Sequence, residues 1–388
     1  MTVFLKWVAR VLGILAILAV CIGLWKREEI TRLLAVNSLF SQAKIVRNFS
    51  NMDQAFLTTM LPRAVDDPAP FPIGTRAVMP PSVADWIEDR SVTSLVVLKD
   101  GAIVTEDYFL GTKPTDLRIN WSVSKSYLSI LFGILLDEGT IASIDDPVVT
   151  YAPSLAGSAY AKASIKDVLQ MSSGVTFDED YLDQSSDINK MGRVLALGGS
   201  MDDFTAGLTQ SEATPGERWQ YVSIDTHVIG MIIRGATGRT IADLLTEKVI
   251  GPLGLEADPY YLTDGYGVAF VLGGLNTTTR DNARFGQMIA QGGLWEGQQI
   301  VPSIWINDST RPSAKTEPDA FGYGYQWWIP AGSTDGQFMA RGIYGQYIYI
   351  DMPRNVVIAT HGADRKFRDN GVSEKNTAIF RAIAESLD

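Results

Sequence analysis

Cysteine and histidine are nearly missing from this chain: one cysteine, Cys21, and two histidines, His227 and His361, stand in 388 residues. A lone cysteine excludes any internal disulfide and any cysteine-built metal site. Cys21 lies inside an apolar run far from other chemistry, which argues against a thiol nucleophile as well. Two scattered histidines form no His-Glu-x-x-His zinc motif, and no Gly-x-Ser-x-Gly elbow accompanies them, so a Ser-His-Asp hydrolase is disfavoured. His227 falls on an apolar helix face as a packed structural residue, and His361 ends a strand where it could border a cleft. No repeat of fixed period is present. Positive charge is also short, with 33 Lys and Arg against 44 Asp and Glu and a net charge of −11. An acidic body excludes nucleic acid as a partner, because phosphate binding needs a positive surface.

What is present reads as ordinary globular composition: 46% hydrophobic, 20% charged, 35 Gly and 17 Pro. That suits one large domain or two fused lobes. Aromatics are plentiful, with 9 Trp and 14 Tyr, which fits a deep core and a lined cleft.

The charge is uneven. Residues 1–47 carry seven cations (Lys6, Arg10, Lys26, Arg27, Arg32, Lys44 and Arg47) against Glu28 and Glu29, a net of +5 in a chain of −11, so the remainder stands at −16. Within this segment Trp7 to Trp25 is a 19-residue apolar stretch broken only by Arg10. That is about the length needed to cross a bilayer, and Trp7 and Trp25 would sit at its interfaces. No small-x-small cleavage site follows it, and Val20 before Cys21 is too large for lipoprotein processing. An uncleaved single-pass signal anchor over residues 1–27 is the expectation. Lys6 and Arg10 set its N-terminus inside, so the body is expected outside the cytoplasm, in a periplasmic-type space. Glu28 to Asn51 is amphipathic, a stalk or a segment lying along the membrane. Six prolines between Pro62 and Pro81 read as an extended lead-in. Residues 28–80 are thus expected as a juxtamembrane stalk, and 81–388 as the functional domain.

In the body, Ser94 to Lys99, Asp100-Gly101, and Ala102 to Phe109 read as a β-hairpin on an Asp-Gly turn. Helices are expected over Ser122–Leu136, Ile165–Met171, His227–Thr237, Ile241–Ile250, Arg280–Gln291 and Glu374–Leu387. Strands return at Gly345–Asp351 and Val356–Thr360. Strands at both ends with helices between predict an α/β (α+β) fold. One antiparallel sheet is built from both termini, flanked by helices and carrying a helical lobe.

The chemistry centres on Ser122-Val-Ser-Lys125, at the mouth of the first of these helices. Positions i and i+3 share a helix face, with Cβ atoms roughly 5–6 Å apart. A lysine held there out of water loses part of its preference for the charged form, and a serine beside such a base can be a nucleophile. Tyr221-Val-Ser223 follows Pro215-Gly216 just before another helix, where a phenol can point into a cleft. Ala340-Arg341-Gly342-Ile343 precedes the last hairpin, and glycine there lets backbone approach a ligand. The N–H groups of Ser122 and Ile343 can pair as an oxyanion hole. Asp145-Asp146 before Pro147 reads as a helix-flanking turn rather than an acid pair.

Taken in order, Ser122-x-x-Lys125, Tyr221-Val-Ser223 and the glycine-containing strand motif resemble the serine β-lactamase and penicillin-binding-protein superfamily over about residues 80–388. The likeness extends to class C β-lactamases and, more closely, to 6-aminohexanoate-dimer hydrolases and family VIII carboxylesterases. Ile141-Ala-Ser-Ile-Asp-Asp-Pro147, Met171-Ser-Ser-Gly174, Pro252-Leu-Gly254 and Gly322-Tyr-Gly-Tyr-Gln-Trp-Trp328 agree with it. The resemblance implies a β-lactamase/transpeptidase-like fold, a serine hydrolase acting through an acyl-enzyme on a small amide or ester, and no metal or organic cofactor. It implies Ser122, Lys125 and Tyr221 as catalytic residues. Tyr181, Ser223, Asn276, Arg341 and Gly342 are implied as substrate-binding positions. Two departures stand out: Ser223 replaces the asparagine of Tyr-x-Asn, and Ala340-Arg341-Gly342 replaces Lys-Thr-Gly, whose lysine and threonine help bind a lactam carboxylate. These point to the esterase and amidase branch. Action on lactams or D-amino-acid peptides of the cell-wall type is one alternative, and a non-enzymatic membrane-tethered binding domain is another.

Overall fold

The computed structural model describes residues 2–63 and 68–388. Part of the proline-rich lead-in, residues 64–67, lies outside the described residues. Seven strands form the main sheet: β1 (Val92–Lys99), β2 (Ala102–Tyr108), β3 (Gly322–Tyr323), β4 (Trp328–Ile329), β5 (Gln337–Gly342), β6 (Gln346–Asp351) and β7 (Val356–Gly362). Their order is β2-β1-β7-β6-β5-β4-β3, every pairing antiparallel. Two strands from the first third of the body therefore join five from the last, as the sequence pattern implies.

The β1–β2 hairpin closes on Asp100 and Gly101, both at positive φ (50° and 78°), with Lys99 opposite Ala102. That is the turn whose twist suits a two-residue loop. Side chains along the central strands alternate between two cores, because successive residues point to opposite faces. Val96, Leu98, Ile348, Ile350, Val357 and Ala359 face one core. Leu95, Val97, Tyr347, Tyr349, Val356 and Ile358 face the other. Phe380 and Ile383 of the final helix and Trp86 of the short helix Ser82–Asp89 cover the second face.

Helices α1 (Thr2–Trp25), α2 (Arg27–Asn37), α3 (Ser124–Asp137), α4 (Asp187–Leu197), α5 (Ile224–Thr237), α6 (Thr279–Ala290) and α7 (Val372–Glu385) organise the rest. α1 stands free of the body with its apolar side chains exposed, and its span Val3–Trp25 is long and apolar enough to cross a membrane. α3 is buried continuously from Ser124 to Leu135, the state of a helix apolar on all sides. α6 lies against β6 and β7 at Gly286, where a Cβ would meet Val357 at 2.7 Å and Ile348 at 2.8 Å.

Of the differences from the sequence expectation three bear on the site and the core, while the helix expected from His227 simply begins earlier, at Ile224. The helix expected from Ser122 begins at Ser124, and Trp121–Val123 is a 3-10 turn. The helix expected over Ile241–Ile250 ends at Leu245 and continues as a wider turn through Ile250 into Gly251–Leu253, so Pro252 sits at the start of a final turn instead of stopping the helix. The largest difference concerns residues 39–61, expected as stalk. Leu39, Ile45, Phe49, Met52 and Leu61 are buried in the main core. Leu57–Met60 forms the edge of a second, four-stranded antiparallel sheet with Tyr260–Thr263, Leu275–Thr277 and Arg118–Ile119. The amphipathic signal of that stretch is therefore a core-facing signal, and a globular surface satisfies it as well as a membrane does.

Candidate active site

The second sheet delivers the nucleophile loop. Arg118–Ile119 pairs with Leu275–Thr277, and the Asn120 amide donates to Leu275 O at 2.9 Å. Asn120 is fully buried. Its side chain donates to Thr277 Oγ1 (2.9 Å), accepts from Asn282 Nδ2 (2.7 Å) and meets His361 Nε2 (3.0 Å). His361 is thus spent on structure: its other ring nitrogen meets Thr279 Oγ1 at 2.9 Å, and burial, followed by the nearby Arg118 charge, holds it well below the usual histidine range. Trp121 then turns sharply at φ +45°, and Ser122 follows at the cleft. Ser122 lies in this 3-10 turn and Lys125 three residues on, in the first turn of α3, so the two share one side of the chain.

Lys125 is 1% exposed and donates to Leu272 O at 2.7 Å. Among the described residues it forms no ion pair. Burial pushes its ammonium down to about 7, against weaker upward pulls from Glu179 and Asp225. Its Nζ lies 5.7 Å from the Tyr221 ring centroid. Tyr221 precedes α5, on a loop tied down by Gly216 N–H to Ser172 O (2.8 Å) and Gln220 N–H to Met171 O (2.9 Å). Its ring stacks on Trp328 at 5.2 Å and 29°. Burial raises the phenol well above its ordinary value, Glu179 adds to the rise, and hydrogen bonding with Ser122 and Ser223 opposes it. The arrangement therefore sets a neutral phenol beside Ser122 in the cleft wall, with a buried lysine behind it whose charged form is disfavoured. Such a set can remove a serine proton and return it to a leaving group.

The strand motif closes the cleft from the other side. A Cβ on Gly342 would meet Asn120 O at 2.6 Å and Ser122 N at 3.1 Å, so the end of β5 lies directly on the nucleophile loop and only glycine permits it. Ser122, Gly342 and Ile343 share the wall of a cleft of about 590 Å³ that Tyr181, Tyr221, Trp328 and Arg341 also line. The Arg341 guanidinium lies 5.1 Å from the Trp328 ring and 5.7 Å from Phe321; it forms no ion pair among the described residues.

Ser223 is buried beside the cleft, not in its wall: its amide donates to Glu179 Oε2 at 3.0 Å and its hydroxyl to Glu179 Oε1. Asn276, expected in the cleft, is not there. It lies fully buried in the second sheet, opposite Ile119 and Tyr260, and its amide donates to Gly274 O at 2.9 Å. Strand pairing turns that side chain into the sheet, and the nearby backbone that reaches the site is Leu272 O. Sequence reasoning missed Glu179, which also accepts from Tyr181 at 2.5 Å. It missed the loop at Phe367–Asp369 too. Phe367 meets Tyr181 edge-on at 6.1 Å, and Arg368 pairs with Asp180 at 3.2 Å, joining the two rims of the cleft. Glu179 sits in the acidic run Asp178-Glu-Asp180, a signal no stronger than any solvated charge cluster.

A two-sheet frame that sets Ser-x-x-Lys, Tyr-x-Ser and a glycine-ended strand around one cleft defines a protein of the β-lactamase/transpeptidase-like fold. The Beta-lactamase family model matches residues 83–371, and the chain belongs to that family. It is 30% identical over 292 residues to the 6-aminohexanoate-dimer hydrolase of Paenarthrobacter ureafaciens, spanning 72% of this chain and 74% of that one. Among solved structures, a Bacillus anthracis protein provisionally assigned as a 6-aminohexanoate-dimer hydrolase superposes with a TM-score of 0.80 at 24% identity, covering 90% of this chain and 96% of that chain. A family VIII carboxylesterase superposes with a TM-score of 0.59 at 16% identity, covering 81% of this chain and 100% of the other.

Proposed function

We propose that this chain is a serine hydrolase that cleaves an amide or ester bond through an acyl-enzyme. Ser122 attacks the carbonyl. Its proton passes by way of the Tyr221 phenol to neutral Lys125 and returns by the same path to the leaving group. The N–H groups of Ser122 and Ile343 hold the developing oxyanion, and water then releases the acyl group. One observation carries this reading: Lys125 is buried with no ion pair among the described residues and sits behind Tyr221, which shares the cleft wall with Ser122. The 30% identity to a 6-aminohexanoate-dimer hydrolase supports the amidase and esterase branch. Arg341 in the cleft wall favours a second reading, in which its charge holds a carboxylate and the substrate is a lactam or a D-amino-acid peptide. We also propose that α1 anchors the protein in a membrane with the hydrolase domain outside the cytoplasm, and that Tyr181 and Arg341 contact the substrate.

The test compares kcat/KM on a p-nitrophenyl short-chain ester and a chromogenic cephalosporin, with Ser122→Ala as control. Ester turnover that vanishes in Ser122→Ala, with little lactam turnover, is the expected result. Efficient lactam turnover would shift the assignment to the second reading, and activity retained in Ser122→Ala would sink both.

A further inference from the structure

The two backbone donors of the proposed oxyanion hole each stand next to a strained aromatic residue. Trp121, before Ser122, has φ +45°, and Tyr344, after Ile343, has φ +63°. Left-handed backbone is unfavourable for residues that carry a β-carbon, and it persists only where the surroundings over-determine it. Phe367 packs on Tyr344 at 4.6 Å; the surroundings that touch both strained residues come from the segment that follows the apolar helix. Phe40 stacks on Tyr344 with centroids 5.0 Å apart and planes 11° from parallel, and meets Trp121 at 5.9 Å. Phe49 stands edge-on to Trp121 at 5.6 Å and to Tyr344 at 5.4 Å. Phe40 meets Phe49 at 6.2 Å, and Trp121 meets Tyr344 at 6.3 Å, so each ring touches the other three. The same segment is tied to the strand that leads into the nucleophile loop: Ile119 N–H donates to Phe49 O at 3.0 Å, and Arg118 donates to Val46 O at 3.1 Å.

We propose that Phe40 and Phe49 are positioning residues for the oxyanion hole, clamping Trp121 and Tyr344 so that the N–H groups of Ser122 and Ile343 converge. The inference rests on the hydrolase reading above. The geometry of the chain explains the effect. The peptide unit between Trp121 and Ser122 carries the Ser122 N–H, so rotation at Trp121 aims that donor. Tyr344 and Gly345, at φ +63° and +92°, close the turn between β5 and β6 and fix where Ile343 sits. A donor displaced by a fraction of an ångström still permits substrate binding but no longer meets the tetrahedral oxygen. Neither phenylalanine lines the cleft, so their loss falls on kcat and leaves KM nearly unchanged.

The experiment uses the full-length chain in detergent, with active sites counted by a fluorophosphonate probe so that unfolded protein does not enter kcat. Phe40→Ala and Phe49→Leu are each expected to lower kcat per active site about tenfold or more, the scale on which a misplaced oxyanion donor is felt, with KM within about twofold. Phe40→Tyr, which keeps the stack, is expected to restore most of kcat. Ile45→Ala, buried in the same segment but outside the ring cluster, is expected to lower Tm while kcat per active site holds. Unchanged kcat per active site in Phe40→Ala, or an equal loss in Ile45→Ala, overturns the clamp. Wild-type protein with no Ser122-dependent turnover overturns the hydrolase reading on which it stands.

Discussion

Lys125 is the residue on which pH acts most directly. In the proposed mechanism its amine must be neutral to take a proton, and burial brings it down to about 7. kcat/KM is therefore expected to rise with pH through a limb centred near 7. Glu179 is the largest of the charges that pull Lys125 upward; removing its charge lets the lysine lose its proton more readily. Glu179→Gln should shift the limb to lower pH, and a pH–rate profile that does not move would show that another group sets it. The same burial has a stability consequence of opposite value to the enzyme. The folded lysine titrates near 7 and the unfolded one near 10.5. The unfolded chain thus binds more protons between those values, and stability rises with pH across that window. Below 7 the full cost of a buried charge is borne. Lys125→Met should raise the unfolding free energy at pH 7 by up to a few kcal/mol, with a gap from wild type that narrows towards pH 10, while abolishing turnover. Urea titrations at several pH values would measure it, and a destabilised Lys125→Met would contradict the burial argument.

At the scale of elements, close approach between backbones decides where the site forms. The end of β5 reaches the nucleophile loop only because Gly342 has no side chain; a Cβ there would lie 2.6 Å from Asn120 O, a backbone atom with little room to yield. Gly342→Ala should push β5 off the loop and lower kcat on the order of 10²-fold, as loss of one oxyanion donor does, with the Tm little changed since the residue lies at a strand end. Gly286 plays the complementary part for the core. Its contacts with Val357 and Ile348 are side-chain methyls, so Gly286→Ala overpacks the α6–sheet interface and should cost about 1–3 kcal/mol, less the gain in helix propensity. These contacts also show what a sequence reader can and cannot see. The β1–β2 hairpin is legible because Asp-Gly writes its turn locally, and the meeting of Ser122, Lys125, Tyr221 and Gly342 in one place is legible because each sits in a short motif, whatever roles they play there. Glu179 was not, because its role is set by Ser223, 44 residues away in the chain. Asn276 misled because a side chain's face on a strand depends on register, which follows from pairing with Arg118–Ile119 and not from local pattern.

For the whole molecule the question is where the apolar N-terminal helix ends and the globular body begins. The chain from Val3 to Trp25 is apolar and exposed, α2 has no buried residue, and from Leu39 onward the segment enters the main core. A stretch of about 25 residues that reads as one amphipathic region thus contains two physical regimes: a helix leaning on the body, and a strap whose Ile45, Phe49 and Met52 are part of it. Residues of that kind carry about 1.5–3 kcal/mol each of burial free energy, so several together weigh heavily against a net stability of 5–15 kcal/mol. Two truncations separate the regimes. Deleting residues 1–26 should yield a protein that stays soluble without detergent, unfolds cooperatively and keeps wild-type kcat/KM. Deleting residues 1–56 removes the strap, exposes the apolar surface beneath it and strips Arg118 of its Val46 and Ser50 partners. That protein should aggregate, or unfold at a Tm lower by ten degrees or more, since each kcal/mol shifts Tm by roughly 2–4 °C in a domain of this size or somewhat smaller. Sedimentation and thermal unfolding of the two truncated chains decide the matter: if the shorter chain is as stable as the longer one, residues 39–56 are a stalk after all, and the burial of Phe49 and Met52 contributes nothing that the rest of the body needs.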